Sequence, residues 1–294
     1  MNHPNKKCFK LEKILYKKSM FDKSVDATYI IHLENNGRLD SIKSQLSKYQ
    51  PSNIVYIVYN KGFKNCHKKL TNQNSAYDLV DAFIYIFQDA NEKKYNNILI
   101  LEDDFNFSPE IYKDNHLYNI NKFLIEKKNE KIYYFLGCIT FLQLPYYSDT
   151  NINILSGGTH CIIYSKSARE SILNNKYIPK NDWDQYHNYI FLMGITKYVY
   201  YKPLCYQSHT ITENSQNWTK IPFTDYSVGE LFNKWMKMDV NVEPGYSNSY
   251  YYSKILGYIL IILNIIILIT ILYCFYIHNK NIKKSLKSNK IKIK

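Results

Sequence analysis

A chain of 294 residues with 46% hydrophobic and 16% aromatic side chains is long enough for one sizeable α/β domain with an appendage, and too apolar to be disordered. Its net charge of +13 invites nucleic acid as a partner, but the lysines gather at Lys6–Lys23 and in the last 15 residues, which hold seven of them. Terminal runs of this kind are solvated tails or membrane-surface contacts, and no zinc-finger, RNA-recognition or helix-turn-helix pattern lies between them, so a nucleic-acid partner is excluded.

Tyr (30) is abundant while Gly (9) and Pro (8) are scarce. With Asn, Ile and Lys also frequent, this resembles the codon bias of an A/T-rich genome, so single Tyr or Asn residues carry little functional weight. Cys8, Cys66, Cys138, Cys161, Cys205 and Cys274 form no CxxC pair. Cys138, Cys161 and Cys205 lie in apolar, strand-like runs and read as buried thiols. Nothing demands a disulfide framework or a zinc site, and a reducing compartment is the expectation.

Residues 1–25 form a basic N-terminal extension without a signal-peptide core, with a possible helix around Leu11–Tyr16. A catalytic domain is expected over 26–245. Ala27–Leu33 reads as a strand. Arg38–Tyr49 carries Leu39, Ile42 and Leu46 at helical spacing, Pro51 stops that helix, and Asn53–Tyr59 is a second strand. An opening β-α-β unit argues for a parallel sheet. After a basic loop, Lys61–Thr71, the apolar face Ala76, Leu79, Val80, Phe83 and Phe87 predicts a helix over Ser75–Ala90.

That helix leads to Asn96–Pro109, NNILILEDDFNFSP, the most informative stretch. Ile98–Leu101 is an apolar, β-branched run, the pattern of a strand buried on both faces. It ends in Glu102, Asp103 and Asp104. Carboxylates at the tip of such a strand sit in the crevice where open α/β sheets bind ligands. Three adjacent negative charges need solvent or a cation. Glu102 and Asp104, spaced i and i+2 on an extended chain, face the same way and suit one Mg²⁺ or Mn²⁺ held against phosphates. The bland alternative is a solvated acidic strand end.

Further helices are expected over Asn115–Lys128 and from Asn181 to Met193, and further strands over Lys131–Gly137 and Tyr198–Tyr201. Ile152–Leu155 and Cys161–Tyr164 read as a strand interrupted by Gly157-Gly158, followed by a helix that Ser165 caps. Residues 246–254 are expected as a linker. Ile255–Ile277 is 23 residues without a charge, long enough to span a bilayer, with Tyr250–Tyr252 and Tyr276 as an interfacial aromatic belt. Residues 278–294 form the Lys-rich tail. That tail favours a cytosolic C-terminus, but the domain would then have to cross the membrane without an N-terminal signal. A single-pass C-terminal anchor with a cytosol-facing domain is therefore the expectation.

Several segments, in this order, resemble glycosyltransferase family 25, the lipopolysaccharide and procollagen sugar-transferase group, in the divergent form found in large DNA viruses. They are YIIHLENNGRLDSIKSQL, ILILEDDF, GGTHCIIYSKSA, PKNDWDQY and PLCYQSHT, spread over Ala27–Thr210. EDD is the specific piece; order and spacing carry the others. His32 departs from the family's Asn. The resemblance implies a GT-A-like fold, a Rossmann-like, mostly parallel sheet flanked by helices, here with one C-terminal transmembrane helix.

It implies a metal-dependent hexosyltransferase that moves a sugar from a UDP- or GDP-sugar to a hydroxyl on a protein, lipid or glycan, with inversion. Glu102, Asp104 and His209 would hold the Mn²⁺ or Mg²⁺. Asp103 would orient the ribose or metal waters, Arg38 would lie near the nucleotide, and Gly157 and Gly158 would let the sugar approach the backbone. Asp182 or Asp184 would be the general base, helix N-capping being the bland role for one of them. A haloacid-type phosphohydrolase is disfavoured, since Leu-Glu-Asp-Asp-Phe-Asn lacks Asp-x-Asp followed by Thr, and no P-loop occurs. The non-enzyme alternative is a catalytically inactive, tail-anchored scaffold with the same fold.

Overall fold

The computed structural model describes residues 3–147, 149–175, 183–208, 222, 227–238 and 242–291. Among these, apolar and β-branched runs form β1 (Phe9–Leu15), β2 (Ala27–Leu33), β3 (Ile54–Asn60), β4 (Asn97–Glu102), β5 (Phe105–Phe107), β6 (Ile132–Tyr147), β7 (Thr150–Ser165), β8 (Thr196–Tyr200) and β9 (Cys205–Gln207). Helical segments form α1 (Leu39–Lys48), α2 (Gly62–Asn65), α3 (Ser75–Glu92), α4 (His116–Glu126), α5 (Lys166–Leu173), α6 (Trp183–Tyr186), α7 (Val228–Met236) and α8 (Val242–Ile291), the last apolar through its centre and kinked at Glu243.

Seven strands share one sheet in the order β1-β3-β2-β4-β7-β6-β8, and β5 pairs with β9 beside it. The expected parallel arrangement holds at the centre, where β2 runs parallel to β3 and to β4. Both flanks are antiparallel: β1 joins β3, and β7 joins β4. Ile98–Leu101 is fully buried, and each such side chain contributes about 1.5–3 kcal/mol by leaving water. One core lies between the sheet and α3 and α5, around Phe83, Phe87 and Ile100; the other lies under α1 and α4, around Ile42, Leu99 and Ile120. The result is an α/β three-layer domain.

Several expectations are corrected. Leu11–Tyr16 forms no helix: Phe9–Leu15 is an edge strand, because Phe9 and Leu11 pack inward on the sheet while Lys10 and Glu12 alternate away from them. Cys8 and Cys66, 58 residues apart, form a disulfide that ties β1 to the loop after β3. Spacing alone hid this pair, because the sheet rather than a local motif brings the two thiols together. Cys138, Cys161 and Cys205 are buried free thiols. Gly157-Gly158 does not interrupt a strand; β7 runs through it, with register shifts against β6 taking up the irregularity. The helix expected up to Met193 is a short α6 followed by a 3₁₀ turn, Ile190–Met193. Ser165 does cap α5, accepting from Ala168 N at 3.3 Å.

The stretch expected as a linker is helical and packed. Ser249 and Ser253 both hydrogen-bond Thr140 (3.3 and 2.8 Å), and Ser253 Oγ accepts from Gln143 Nε2 at 2.7 Å. The apolar helix is therefore docked on β6 before it leaves the domain.

Candidate active site

In the sheet order β3-β2-β4 the connection from β2 runs to β3 while the chain after β4 runs to the opposite side, towards β6, and the crevice beyond the C-terminal ends of such a neighbouring pair is where open sheets receive ligands. Glu102, Asp103 and Asp104 stand at that crevice, beside the turn that joins β2 to α1. The acidic stretch is thus where its sequence suggests, but its geometry differs from the expectation. Extended structure stops at Glu102, and Asp103 and Asp104 occupy a turn before β5. The same-face rule for i and i+2 therefore does not govern Glu102 and Asp104.

Each carboxylate has its own surroundings. Glu102 accepts from the Thr159 hydroxyl at 2.7 Å. Asp103 is buried and accepts from Leu33 N at 3.2 Å, from Asn36 and from Arg38 Nη1 at 2.7 Å. His32 Nδ1 stands 3.4 Å from it, a polar contact rather than an aligned hydrogen bond. Burial alone would raise the Asp103 pKa; His32, Arg38 and Asn36 outweigh it and hold the carboxyl below the usual carboxylate range. Asp104 is also buried. Its Oδ2 accepts from Arg38 Nη1 at 3.2 Å and Gln207 Nε2 at 3.0 Å, while its Oδ1 is buried with no hydrogen-bond partner among the described residues. Burial and the neighbouring Asp103 charge push its pKa up to about 6.

Arg38, at the N-cap position of α1, reaches both aspartates and keeps 23% of its side chain exposed. Gly157 and Gly158 lie on β7 close to Thr159, the partner of Glu102. Gly158 has φ +77°, a conformation that side-chain-bearing residues rarely adopt. The Phe141 ring lies 3.4 Å from where a Gly157 Cβ would stand. The structure thus brings Arg38, Glu102, Asp103, Asp104 and the glycine pair to one region. His209 and Asp182 lie outside the described residues, and of Asp184 only its backbone place in α6 is described. Among the described residues no three His, Cys, Asp or Glu side chains converge as a metal site.

Sequence reasoning missed Asn36, Thr159 and the Leu33 N–H as partners of the acidic turn. Asn36 and Thr159 lie inside the segments NNGR and GGTH, so their position was visible, but short polar residues are too frequent here to single them out. Gln207 was visible only as a strand-end residue. Its role depends on β9 pairing with β5, which sets Gln207 opposite Phe105, next to Asp104. Its own N–H donates to Tyr246 Oη at 3.3 Å, linking the site to the start of α8.

No family model matches the chain, and comparison with curated proteins finds no match. Among solved structures, it is similar to A197 from STIV at 11% identity and a TM-score of 0.39, over 64% of this chain and 87% of that one. It is also similar, at 12% identity and a TM-score of 0.38, over 65% of this chain and 97% of the other, to a glycosyltransferase involved in glycosylation of the major capsid of PBCV-1. Similarity this low does not assign a family.

Proposed function

We propose that this chain is a glycosyltransferase that moves a sugar from a UDP- or GDP-sugar to a hydroxyl acceptor, on a GT-A-like domain of family-25 type held at a membrane by α8. The observation that carries the reading is Asp104. It is a buried carboxylate at the crevice, with one oxygen unpartnered among the described residues and an arginine beside the other. A buried polar atom without a partner costs about 1–3 kcal/mol, a cost that ligand binding relieves.

The donor set fits a hard divalent cation that takes one or two carboxylates from the protein and its other ligands from phosphate and water. Asp104 and Glu102 would hold it. Mn²⁺ or Mg²⁺ bound there supplies positive charge to the leaving diphosphate. Arg38 is the protein's own cation at the crevice, and its guanidinium suits phosphate oxygens as well as carboxylates. Asp103, fixed by Leu33 N, Asn36 and Arg38, holds the β2–α1 turn in place. The acceptor oxygen attacks the anomeric carbon as the bond to the diphosphate oxygen breaks. Asp182 or Asp184 takes the hydroxyl proton, and a single displacement inverts the centre.

The test is release of UDP or GDP from a panel of nucleotide sugars by the full chain in detergent, with and without Mn²⁺. Release should require the metal and fall on the order of 10²-fold or more in Asp104→Ala. No release and no metal-dependent thermal shift with any nucleotide would favour the inactive scaffold.

The disulfide supports a different orientation. A Cys8–Cys66 bond belongs on the oxidising side of a membrane, and the Lys-rich tail belongs on the cytosolic side. Both favour a domain opposite the cytosol, against the orientation expected from the sequence. Alkylation of intact cells checks this: Cys8 and Cys66 should resist a thiol reagent until reduced, and immediate labelling of both would return the domain to the cytosol.

A further inference from the structure

Where α8 leaves the domain, a groove of about 420 Å³ opens between it and the lower edge of the β6–β7 hairpin. Leu142, Leu144 and Ile154 line the hairpin side; Leu260, Ile265 and Leu268 line the helix side. Asn264 is the polar residue in the lining, and its amide is turned back onto Leu260 O at 2.8 Å. Apart from that amide, the lining is wholly aliphatic and carries no charge to hold a headgroup. Beside it Ile154 and Leu155 are 40% and 45% exposed.

The position of this groove relative to a bilayer follows from how α8 is docked. A Cβ on Gly257 would stand 1.8 Å from Gln143 O, so helix and strand backbones touch there and only glycine fits. Together with the Ser249, Ser253, Thr140 and Gln143 hydrogen bonds, this contact fixes the helix to the domain. Three residues later the groove begins, and from there the helix is apolar and almost wholly exposed; only 6% of its most apolar window is buried. Such a surface needs hydrocarbon around it. The groove is the first space that hydrocarbon meets below the domain.

We infer that this groove seats one acyl chain of a bilayer lipid, running along α8 under Leu142, Leu144 and Ile154. The inference rests on the membrane reading of α8. A chain seated there fills the wedge between helix and hairpin and sets the domain's height. Tyr246, whose hydroxyl accepts from Gln207 N, lies 14 residues before Leu260, about 21 Å along the helix. Gln207 in turn holds Asp104. The candidate active site is thereby held a fixed distance above the acyl layer, within reach of an acceptor carried at the membrane surface.

The experiment uses the full chain in phosphatidylcholine vesicles doped with a phosphatidylcholine that carries a photoactivatable diazirine in one acyl chain, with adducts mapped by mass spectrometry. Adducts are expected on the hairpin at Leu142–Ile154 as well as on Ile269–Tyr276. Ile154→Trp, which fills the groove, should lower hairpin labelling severalfold and leave Ile269–Tyr276 labelling unchanged. Leu144→Ala, which widens it, should retain hairpin labelling and controls for misfolding. Labelling of the helix alone, or hairpin labelling indifferent to Ile154→Trp, would overturn the inference while leaving the membrane reading intact. Labelling of neither segment would remove the membrane reading itself. A protected hairpin in a chain that sediments as a dimer in detergent would assign the groove to a second copy.

Discussion

Lys68 lies between Asp78 and Asp81, and Arg38 lies between Asp103 and Asp104, so one cation with two aspartates occurs twice in this domain. Lys68 is fully buried. Its Nζ lies 2.5 Å from Asp78 Oδ1, 3.1 Å from Asp81 Oδ2 and 2.8 Å from Asn60 Oδ1, and 3.9 Å from the centre of the Phe9 ring. The Cys8–Cys66 disulfide closes over the same loop. Asp78 Oδ1 and Asp81 Oδ2 make no hydrogen bond among the described residues, but both face the Lys68 ammonium as ion pairs, and the cluster pins β1 and the loop to α3. Arg38 is partly exposed, and Asp104 keeps an oxygen without a hydrogen-bond partner among the described residues. The first arrangement has its countercharge supplied by folding; the second is the one we propose to be completed by a ligand.

The contrast can be broken at either end. The largest expected effect is Lys68→Met, which strands two buried carboxylates and should destabilise the fold by about 3–5 kcal/mol in denaturant unfolding. A loss under about 1 kcal/mol, the worth of an exposed pair, would mean that the cluster is solvated and the contrast false.

Asp104→Asn should act in the opposite direction on stability. Burial and the Asp103 charge raise its folded pKa from the usual 3.8 to about 6, so the folded state binds the proton more tightly than the unfolded chain. The wild-type unfolding free energy therefore falls as pH rises from about 4 to 6, a cost on the order of 2–3 kcal/mol that is complete above pH 6. The variant should lose that slope and be the more stable protein at pH 7 without metal. Asp103, held below the usual range, works the other way and stabilises as pH rises through its titration. Equal pH profiles for the variant and wild type would show that Asp104 is not the strained carboxylate of the pair.

The sequence by itself determined the features that depend on neighbouring residues. The period-2 and period-3.6 patterns located β2, α1, β3, α3 and β4 to within a few residues. Ser165 announced the start of α5 because an N-cap bonds within its own turn. The charge-free run Ile255–Ile277 and the acidic triplet were legible for the same reason. Tertiary structure decided what depends on distant partners. It paired Cys8 with Cys66, ran β7 unbroken through Gly157-Gly158, and docked residues 246–254 on β6 through Thr140 and Gln143. It also gave three adjacent carboxylates three different environments, since Thr159, Asn36, Arg38 and Gln207 reach them from separate elements. Local pattern records what a segment can form, whereas the charge state of Asp104 is set by strands that meet it only after folding.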